Sequence, residues 1–578
     1  MNKIALLLIL ILPISSACKD IIIMNDATSG DYNLFMKVRD PSRPGLQVLF
    51  IVNEGYEYSY HHPWKKYEMA FKTKYKIIGV ATAGDTPPNI IKAGMMMTSA
   101  GIAYGDADVP TYYINPTKRA WDDFDWLRYA AQQASNEKEA LDLLEEVVDM
   151  HAPAIGENLF VVGKDAYVVE ADAFHFYSRK ASSIDVMSNY PDYLWKSRVL
   201  RRIAIASSLD ATFDGYAFEK EVIRIGGIYG IRVVEIDDDY VVVKQFPFGE
   251  EIKIEKGKGS KVGYFYVEFK EKDGRRAKLR VCYEYYEWKN RISKILKEKY
   301  GNISVIDLMN ISRIHSWEID RLRGLCENEM KACMIFKIPL KNSELFAVGW
   351  FAPDQCSSIF VPLHICDYDI YEDYKNGKAS SLALSLLRKY GHGNISFGKF
   401  EEMLVNENEK AEEIAIKNMN KASDILTSVD TEMQKQAIIL QEIWLNASNE
   451  EKNILRNLWK QDYYVTICEI EKNIDSIGRF SPDIGKIILS MCKTRIDIER
   501  IINGSDFSDK YSKAEYYINK GEYRKGIEIV KEIFEKIDKK LYGIEYKKDI
   551  KWYIVFLSVA IPVIIIMAII FSKRKKFR

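Results

Sequence analysis

The sequence predicts an α+β fold, built from alternating strands and helices, that is followed by a long helical region. From Lys19 to about Arg202, short apolar runs bounded by Gly, Pro, Asn and Asp alternate with amphipathic stretches. Residues 222–286 are dense in β-branched and aromatic residues separated by Gly and Asp turns, which predicts added strands. After Phe397, Glu, Lys, Ile and Asn recur at helical spacing, almost without Pro, as far as Lys548.

Length and composition exclude several classes of protein. The chain has 578 residues, too many for one ordinary domain, and its 82 basic and 82 acidic residues leave no bulk basic excess for a nucleic-acid partner. A mean hydropathy of −0.21 excludes a polytopic membrane protein. We therefore expect a main α+β domain over residues 18–396, with a strand-rich insertion at 222–286, and a helical domain or stalk over 397–551.

The N-terminal segment has the pattern of a secretory signal peptide. Lys3 precedes an apolar run from Ile4 to Leu12, and Ser15 and Ala17 supply small residues at the −3 and −1 positions. The run is too short to span a bilayer. We therefore expect residues 1–17 to be removed and Cys18 to become the first residue of the mature chain.

The C-terminal segment has the pattern of a membrane anchor. Residues 552–571 carry no charge and are long enough to cross the hydrocarbon core, and a basic tail over 572–578 follows them. Basic residues favour the cytoplasmic side. The sequence thus predicts one C-terminal transmembrane helix, a cell-membrane location and an extracellular main body.

The individual elements of the main domain follow from apolar runs and turn residues. We expect strands over 20–25, 33–38, 46–52, 75–81 and 101–104, and a hairpin of 159–162 with 166–171. Helices are expected over 121–135 and from an Asn136-x-x-Glu139 cap to about Asp149. Further strands are expected over 231–236, 240–246, 264–269, 333–339, 345–351 and 359–363.

An N-terminal Cys18 would combine a thiol nucleophile with a free α-amino group on one residue. That amine has an ordinary pKa of about 7.7–8.0, so it can accept the thiol proton and return it to a leaving amine. The alternatives are a lipid-modified cysteine and a disulfide partner. Ser15-Ser16-Ala17-Cys18 lacks the usual Leu of a lipid-attachment sequence, which favours the nucleophile.

The segment from Cys18 to Asp40 resembles the start of cysteine-type N-terminal-nucleophile hydrolases, in particular their dipeptidase and isopenicillin N acyltransferase-like branches. Those enzymes open with Cys, an apolar strand, a small-residue turn and a second strand that ends in a basic residue and an aspartate. Ala27-Thr28-Ser29-Gly30 matches the turn and Asp40 the closing aspartate. Either Lys37 or Arg39 takes the basic position.

The resemblance extends over about residues 18–370. The strands 156–162 and 166–170, the pair Ser188-Asn189 and the strand 351–363 are similar to later motifs of the family. The resemblance implies a four-layer αββα sandwich and amide-bond hydrolysis. Two positions depart from the family pattern: Thr98 replaces an Asn in a loop that can offer an oxyanion donor, and Tyr190 replaces a His after Asn189.

The resemblance also implies roles for individual residues. Cys18 is the nucleophile, Asp40 orients the α-amino group, and Asn158 donates to the oxyanion; an ordinary turn role is the alternative for Asp40 and Asn158. The supporting or substrate-binding candidates are Lys37, Arg39, Thr98 and Asn189. No metal and no cofactor is expected.

Two further sets of residues leave alternatives open. Asp106 and Asp108 are expected in a solvated turn, with lining of the substrate cleft or cation binding as alternatives. The eight cysteines of an external protein allow disulfides, for example Cys326 with Cys333, Cys356 with Cys366 and Cys468 with Cys492. Sequence alone does not fix the connectivity.

The leading functional hypothesis is a membrane-anchored extracellular amidohydrolase that cleaves short peptides through an acyl-enzyme on Cys18. An acylase or acyltransferase that acts on N-acyl amino acids is a close alternative, since the acceptor of the acyl group is not readable from sequence. A non-catalytic surface binding protein that retains the fold is the hypothesis from another class. The expected partners are a peptide or N-acyl amide substrate and the membrane, with no nucleic acid.

Overall fold

The computed structural model of the chain describes residues 18–39, 45–85, 89–92, 94–197, 199–327 and 332–546. Two antiparallel sheets form the centre of this part of the chain. The first sheet has, in spatial order, β12 (Ile184–Ser188), β1 (Lys19–Ile23), β2 (Tyr32–Val38), β21 (Cys333–Pro339), β22 (Val348–Ala352) and β23 (Val361–His364). The second has β11 (Phe176–Lys180), β10 (Ala166–Ala171), β9 (Gly156–Val162), β8 (Ile102–Val109), β7 (Met95–Thr98), β6 (Ile77–Thr82) and β3 (Gln47–Val52).

The two sheets pack face to face through apolar side chains. Phe35 of β2 contacts Phe160 of β9 with ring centroids 5.8 Å apart, and both rings are fully buried. Ala103 and Ala107 of β8 belong to the same buried cluster. Their side chains lie on one face of the strand, the face that packs against the first sheet, because side chains alternate between the two faces of a strand. Burying the apolar faces of both sheets in one layer is the main stabilising term of the fold.

Helices cover the outer face of each sheet. On the second sheet these are α1 (Asp123–Ala131) and α2 (Glu137–Asp149), which contact β8 to β11. The first sheet is covered by α5 (Val305–Ser312), α9 (Gly398–Lys417) and α10 (Ala422–Asn446), while α4 (Glu284–Lys297) contacts β12. The layers are therefore helix, sheet, sheet and helix, in mixed α/β composition.

The predicted strands and helices of the main domain are found in the structure within a few residues. The Asn136 cap is present, since its side chain accepts the Glu139 N–H at 3.0 Å. Glu139 does not complete a reciprocal cap on Asn136 and instead accepts from the Ser135 N–H at 2.8 Å. The cap therefore fixes the start of α2 at Glu137, as the pattern predicts.

The strand-rich stretch forms two smaller sheets beside the sandwich. One contains β13 (Thr212–Phe218), β20 (Arg276–Tyr283), β19 (Phe265–Asp273) and β18 (Gly259–Val262), and the other contains β14 (Val222–Ile223), β15 (Gly230–Ile236), β16 (Tyr240–Phe246) and β17 (Glu251–Glu255). A separate hairpin is formed by β4 (Glu57–His61) and β5 (Glu68–Lys72). The other short helices of this part are α3 (Val199–Ala204), α6 (Ser343–Phe346), α7 (Glu372–Lys375) and α8 (Lys378–Tyr390).

Beyond α10 the chain continues as packed helices. These are α11 (Asn449–Leu458), α12 (Tyr463–Ile477), α13 (Ser481–Asn503), α14 (Ser508–Asn519) and α15 (Tyr523–Tyr542). Arg495 of α13 is buried and forms ion pairs with Glu407 of α9 and, at 2.9 Å, with Asp538 of α15. One cation thus joins three helices, and leaving any of these charges unpaired would be costly.

The sequence-based fold class is corrected with respect to the transmembrane helix. In the part of the chain that the structure describes, no helix combines the length and the apolar character needed to cross a membrane. Even the 25-residue α10 carries charges along its length, such as Asp430 and Glu432. The predicted transmembrane architecture and the cell-membrane location are therefore withdrawn. The segments 1–17 and 552–578, on which the terminal predictions fall, lie outside the described residues.

A buried histidine joins the first sheet to its helical layer. His364 at the end of β23 contacts Asp430 of α10 through Nδ1 at 2.8 Å and Glu412 of α9 through Nε2 at 3.3 Å. Burial opposes its charge, but Asp430 and Glu412 outweigh burial and raise the pKa of His364 to about 10. The imidazolium form is therefore the one that suits the folded state.

This histidine gives the folded state a defined pH dependence. Because its folded pKa is above the ordinary 6.5, its stabilising contribution is complete below pH 6.5 and is lost as the pH rises toward 10. We expect the free energy of unfolding of wild type to fall between pH 7 and 9, with a His364 contribution of up to about 1.4 kcal/mol per pH unit. Urea unfolding of wild type and His364→Gln at several pH values measures it.

The matched control is His62→Gln, which alters a half-buried histidine whose pKa is lowered by burial and so does not titrate in this window. In His62→Gln the free energy of unfolding should fall with pH as steeply as in wild type. In His364→Gln it should be lower at pH 7 and should change less with pH. Equal slopes for wild type and His364→Gln would contradict the assignment.

Candidate active site

Cys18 directly precedes β1 and lies between the two sheets. It is 7% exposed, and its carbonyl oxygen accepts a hydrogen bond from Ser188 Oγ at 2.6 Å. The register pairs Lys19 with Ser188 of β12, so Asn189 lies across from Cys18. Cys18 is thus held at the edge of the layer between the sheets, at the start of β1 and beside the end of β12.

A buried lysine occupies the space beside this thiol. Lys37 pairs with Asp20 in the β1–β2 ladder, and strand alternation places Cys18 and Asp20 on the same face. Lys37 Nζ lies 3.5 Å from Asp20 Oδ1 and 3.4 Å from Asp106 Oδ1 of the opposite sheet, and its charge also acts on the pKa of Cys18. Lys37 is therefore the cation shared by the thiol and two carboxylates.

A glycine in β8 makes this approach of the two sheets feasible. A Cβ added at Gly105 would lie 2.5 Å from Phe35 Cζ and 3.5 Å from Asp20 Oδ1. A side chain there would push the first sheet away from β8. Gly105 is thus required for the contact between Lys37 and Asp106.

The charges around Cys18 act on its pKa in opposite directions. Burial is the largest effect and raises the pKa of the thiol to about 12, while Lys37 opposes it and Asp106, Asp20 and Asp108 add to it. Burial likewise opposes the charge on Lys37, but Asp106 and Asp20 outweigh it and keep its pKa well above the usual value. In the chain as it stands, Lys37 is charged and the thiol is protonated near neutral pH.

Acidic side chains dominate the other side of the site. Asp106, Asp108 and Glu157 have carboxylate oxygens within 4.8 Å of one another, and we call these three residues the acidic wall. Burial and then Asp108 raise the pKa of Glu157 well above its ordinary value. Within the described residues the Glu157 carboxylate has no hydrogen-bond partner. This side of the site is therefore rich in acidic groups.

The acidic wall corrects one expectation from the sequence. Asp106 and Asp108 do not lie in a solvated turn: both belong to β8, and Asp106 is 3% exposed. Asp20 and Glu157 were not predicted as site residues at all. The signal for Asp20 was present, because a charged residue two positions after Cys18 in a buried strand shares the face of the cysteine.

The side-chain amide of Asn158 is already engaged in the structure. Its Nδ2 donates to the carbonyl oxygens of Ser188 at 2.7 Å and Tyr190 at 3.0 Å, which uses both amide hydrogens. Asn158 thereby fixes the turn that carries Asn189. Its role as an oxyanion donor stays a prediction, and this arrangement leaves it no free donor for that role.

Asn189 has a donor available where Asn158 does not. One hydrogen of its Nδ2 goes to the carbonyl oxygen of Asp108 at 2.8 Å, and an amide nitrogen carries a second hydrogen. The residue is 6% exposed and lies across the strand ladder from Cys18. Of the two asparagines, Asn189 is the one placed to donate beside the thiol.

The remaining candidates are spread over different places. Thr98 lies at the far end of β7 and pairs with Ile102, while the other end of that strand, Met95, pairs with Gly105 beside the thiol. Arg39 donates to Gln47 Oε1 at 2.5 Å and lies over the Phe124 ring. Lys37, rather than Arg39, is therefore the basic residue beside Cys18. Asp40 lies outside the described residues.

All eight cysteines are free thiols in the structure. Cys326 therefore does not pair with Cys333, Cys356 does not pair with Cys366, and Cys468 does not pair with Cys492. Cys326 and Cys356 instead lie close to each other, in a cluster considered below.

Comparison with known proteins gives structural neighbours only. No protein-family model matches the chain, and no curated protein sequence matches it. Among solved structures it is similar to a mutant of conjugated bile acid hydrolase from Clostridium perfringens, with 12% identity, a TM-score of 0.32, and coverage of 61% of this chain and 92% of that one. A second variant of the same enzyme is 11% identical, with a TM-score of 0.33 and coverage of 60% of this chain and 92% of that one.

Penicillin V acylase from Agrobacterium tumefaciens is also similar, at 15% identity and a TM-score of 0.23, over 30% of this chain and 53% of that one. The identities and TM-scores are low, so the function is derived below from the site itself.

Removing the charge of Lys37 should make Cys18 less reactive. In Lys37→Met we expect alkylation of Cys18 by iodoacetamide at pH 8 to slow at least about tenfold, since one unit of thiol pKa is tenfold in thiolate. Peptide mass spectrometry after timed quenching measures labelling of Cys18 itself. The matched control is Lys92→Met, which removes another buried lysine with two aspartate partners, Asp122 and Asp125. Unchanged labelling in folded Lys37→Met would contradict the role of Lys37.

Proposed function

We propose that the protein is an amidohydrolase in which Cys18, once it is the first residue, attacks the carbonyl carbon of an amide substrate. The observation that carries this proposal is the placement of Cys18 beside Lys37 at the start of β1, with the acidic wall opposite. A thiol buried only for packing would have no need of a shared cation and several carboxylates around it.

The acidic side chains around Cys18 support removal of the residues before it. Asp20, Asp106 and Asp108 raise the pKa of Cys18. Cys18 in turn raises the pKa of Glu157. A free α-ammonium on Cys18 would place a positive charge among these acids, where the intact chain has a neutral peptide group. Under this proposal, the carboxyl groups around Cys18 would stabilise the ammonium form of the new chain end.

The same α-amino group would provide a base that accepts the proton of the Cys18 thiol. With its pKa raised to about 12, the thiol of Cys18 is a weak nucleophile near neutral pH. A neutral amine on the same residue can take its proton as the sulfur attacks the carbonyl carbon. Lys37 stabilises the negative charge that the sulfur carries in this step.

The reaction then proceeds in two halves. The tetrahedral intermediate collapses as the α-ammonium returns its proton to the leaving nitrogen, which departs as an amine and leaves a thioester on Cys18. Water, deprotonated by the same α-amino group, attacks the thioester, the carbon–sulfur bond breaks, and the carboxylic acid leaves. The thiol regains its proton, so one amide bond and one water are consumed per cycle.

We assign the oxyanion contact to Asn189 and a positioning role to Asn158. Asn189 is across from Cys18 and retains one donor, whereas Asn158 donates both hydrogens to the main chain that carries Asn189. A preorganised donor of this kind typically contributes about 2.7–4 kcal/mol to the transition state.

For the substrate, the acidic wall favours a group with positive charge near the scissile amide. The free α-ammonium of a short peptide meets this requirement, and an anionic acyl group would be repelled. Exposed aromatic side chains at the strand ends beyond β8, such as Tyr112 and Phe174, offer contact surface for an apolar substrate part. Short peptides are therefore the preferred substrates, ahead of N-acyl amino acids.

The decisive experiment compares two forms of the chain, one that begins at Cys18 and one that retains Ala17 in front of it. The first form should hydrolyse a panel of dipeptides, and the second should not, because it lacks the free amine beside the thiol. Cys18→Ala should lose about 10³-fold or more in kcat/KM. Cys468→Ser is the matched control, since Cys468 lies in the partly exposed face of α12.

The substrate panel separates the alternatives. N-acetylated dipeptides and N-acyl amino acids should react more slowly than free dipeptides, and the reverse order would indicate an acylase. Equal activity of both chain forms would exclude the N-terminal mechanism. No hydrolysis together with an unreactive Cys18 would indicate a binding protein.

Asn189 and Asn158 should respond differently to substitution. Asn189→Ala should lower kcat by about 10²–10³-fold with little change in KM, because the contact exists only in the transition state. Asn158→Ala should mainly lower the melting temperature, since it removes two hydrogen bonds that hold the turn. Steady-state kinetics and thermal unfolding of both variants measure this, and the opposite pattern would exchange their roles.

A further inference from the structure

Two histidines and two cysteines from distant parts of the chain meet at one point beside the first sheet. His315, Cys326, Cys356 and His392, here called the cysteine–histidine cluster, each offer one ligand atom, and all four atoms lie within 4.8 Å of one another. Cys326 Sγ is 3.2 Å from His392 Nδ1, and Cys356 Sγ is 3.4 Å from His315 Nε2.

The cluster is separate from the candidate active site and is largely enclosed. Cys326, Cys356 and His315 are 2%, 4% and 5% exposed, and His392 is half-buried. The four residues come from three segments: the loop after α5, the loop between β22 and β23, and the loop after α8. Such a convergence of soft and imidazole ligands in a protein interior requires an explanation.

The main chain around the cluster is held in place by hydrogen bonds. The Cys326 N–H donates to Ile314 O at 3.0 Å, and the Cys356 N–H donates to Asp354 Oδ1 at 3.0 Å. Gln355 Nε2 joins two of the segments by donating to Leu325 O at 3.1 Å. The ligands are therefore presented by an ordered framework.

The ligand set and its spacing fit a tetrahedral metal ion. Zinc prefers Cys2His2 sets, with metal–sulfur bonds of about 2.3 Å and metal–nitrogen bonds of about 2.0 Å. In a tetrahedron with those bonds, sulfur and nitrogen ligands lie about 3.5 Å apart. The sulfur–nitrogen distances of 3.2 and 3.4 Å are close to this value.

The surroundings of the ligands also suit a metal. His315 Nδ1 faces Glu318 Oε2 at 3.2 Å, so its Nε2 is left to face the cluster, an arrangement typical of zinc-bound histidines. The Gly393 N–H donates to Cys356 Sγ at 3.2 Å. A main-chain N–H that donates to a sulfur stabilises a thiolate more than a neutral thiol. Thiolate is the form that binds metal.

We propose that the cysteine–histidine cluster binds one zinc ion, which joins the three segments as a structural site. Binding converts any remaining thiol to thiolate and releases its proton to solvent. With all four ligands supplied by the protein the ion has no open position, so it takes no part in hydrolysis. A disulfide between Cys326 and Cys356 is the competing interpretation, and it would leave the convergence of two imidazoles on these sulfurs without a role.

The proposed site is connected to the start of β1. Glu327 follows Cys326 and pairs with Lys19 at 3.0 Å, and Lys19 follows Cys18. A metal that fixes Cys326 therefore also fixes the carboxylate that contacts the residue next to the nucleophile. Loss of the metal should loosen this part of the first sheet.

Metal analysis of the full chain tests the proposal. After expression with zinc in the medium and exhaustive dialysis, plasma mass spectrometry should find about one zinc per wild-type chain. Cys356→Ser and His315→Ala should lose it, and the matched control Cys468→Ser should retain it. A wild-type chain without zinc, or a folded Cys356→Ser with undiminished zinc, would overturn the proposal.

A spectroscopic test remains decisive even where a variant fails to fold. The wild-type chain, stripped with a chelator and titrated with Co²⁺ alone, should give the intense visible bands of a tetrahedral ion with thiolate ligands, saturating at one equivalent. Excess zinc should remove these bands. Absence of the bands, or a Cys326–Cys356 disulfide found by peptide mapping without reduction, would establish that the cluster is not a metal site.

Discussion

The ion pairs of Lys37 with Asp20 and Asp106 are the interaction on which the rest of the site depends. The Asp20 pair, at 3.5 Å, lies within the first sheet, and the Asp106 pair, at 3.4 Å, connects it to the second across a mostly apolar layer. A buried lysine requires such partners, because an unpaired charge there would cost several kcal/mol. The same charge lowers the pKa of Cys18 against the effect of burial. Lys37 thus contributes both to the contact between the two sheets and to the reactivity of the Cys18 thiol.

Local patterns in the sequence were sufficient for the strands and helices but did not show which helices cover which sheet. Strands such as β2 and β21 are continuous apolar runs whose length and flanking residues define them. The outer helical layer of the first sheet, however, comes partly from α9 and α10, beyond Phe397. The change in composition after Phe397 predicted a separate helical domain or stalk. Periodicity shows that a helix has an apolar face but not what covers that face.

The site was predictable where its residues are close in sequence. Cys18 and Lys37 lie on adjacent strands joined by a short turn, so the motif that suggested them is also a structural unit. Asp106 and Glu157 come from strands of the other sheet, and their approach to Cys18 depends on how the two sheets stack. The cysteine–histidine cluster is the extreme case: successive ligands are 11, 30 and 36 residues apart, so they form no short ligand motif.

The electrostatic state of the site differs between the intact chain and one that starts at Cys18. In the intact chain the residue contributes a neutral peptide group, and burial holds the thiol pKa at about 12. The proposed precursor would therefore be a weak nucleophile near neutral pH. Under the proposed mechanism, a freed amine would act as a base while neutral and would carry a positive charge among these acids once protonated. The proposed activation would then need a new chain end rather than a new fold, since the acidic side chains around Cys18 are already in place.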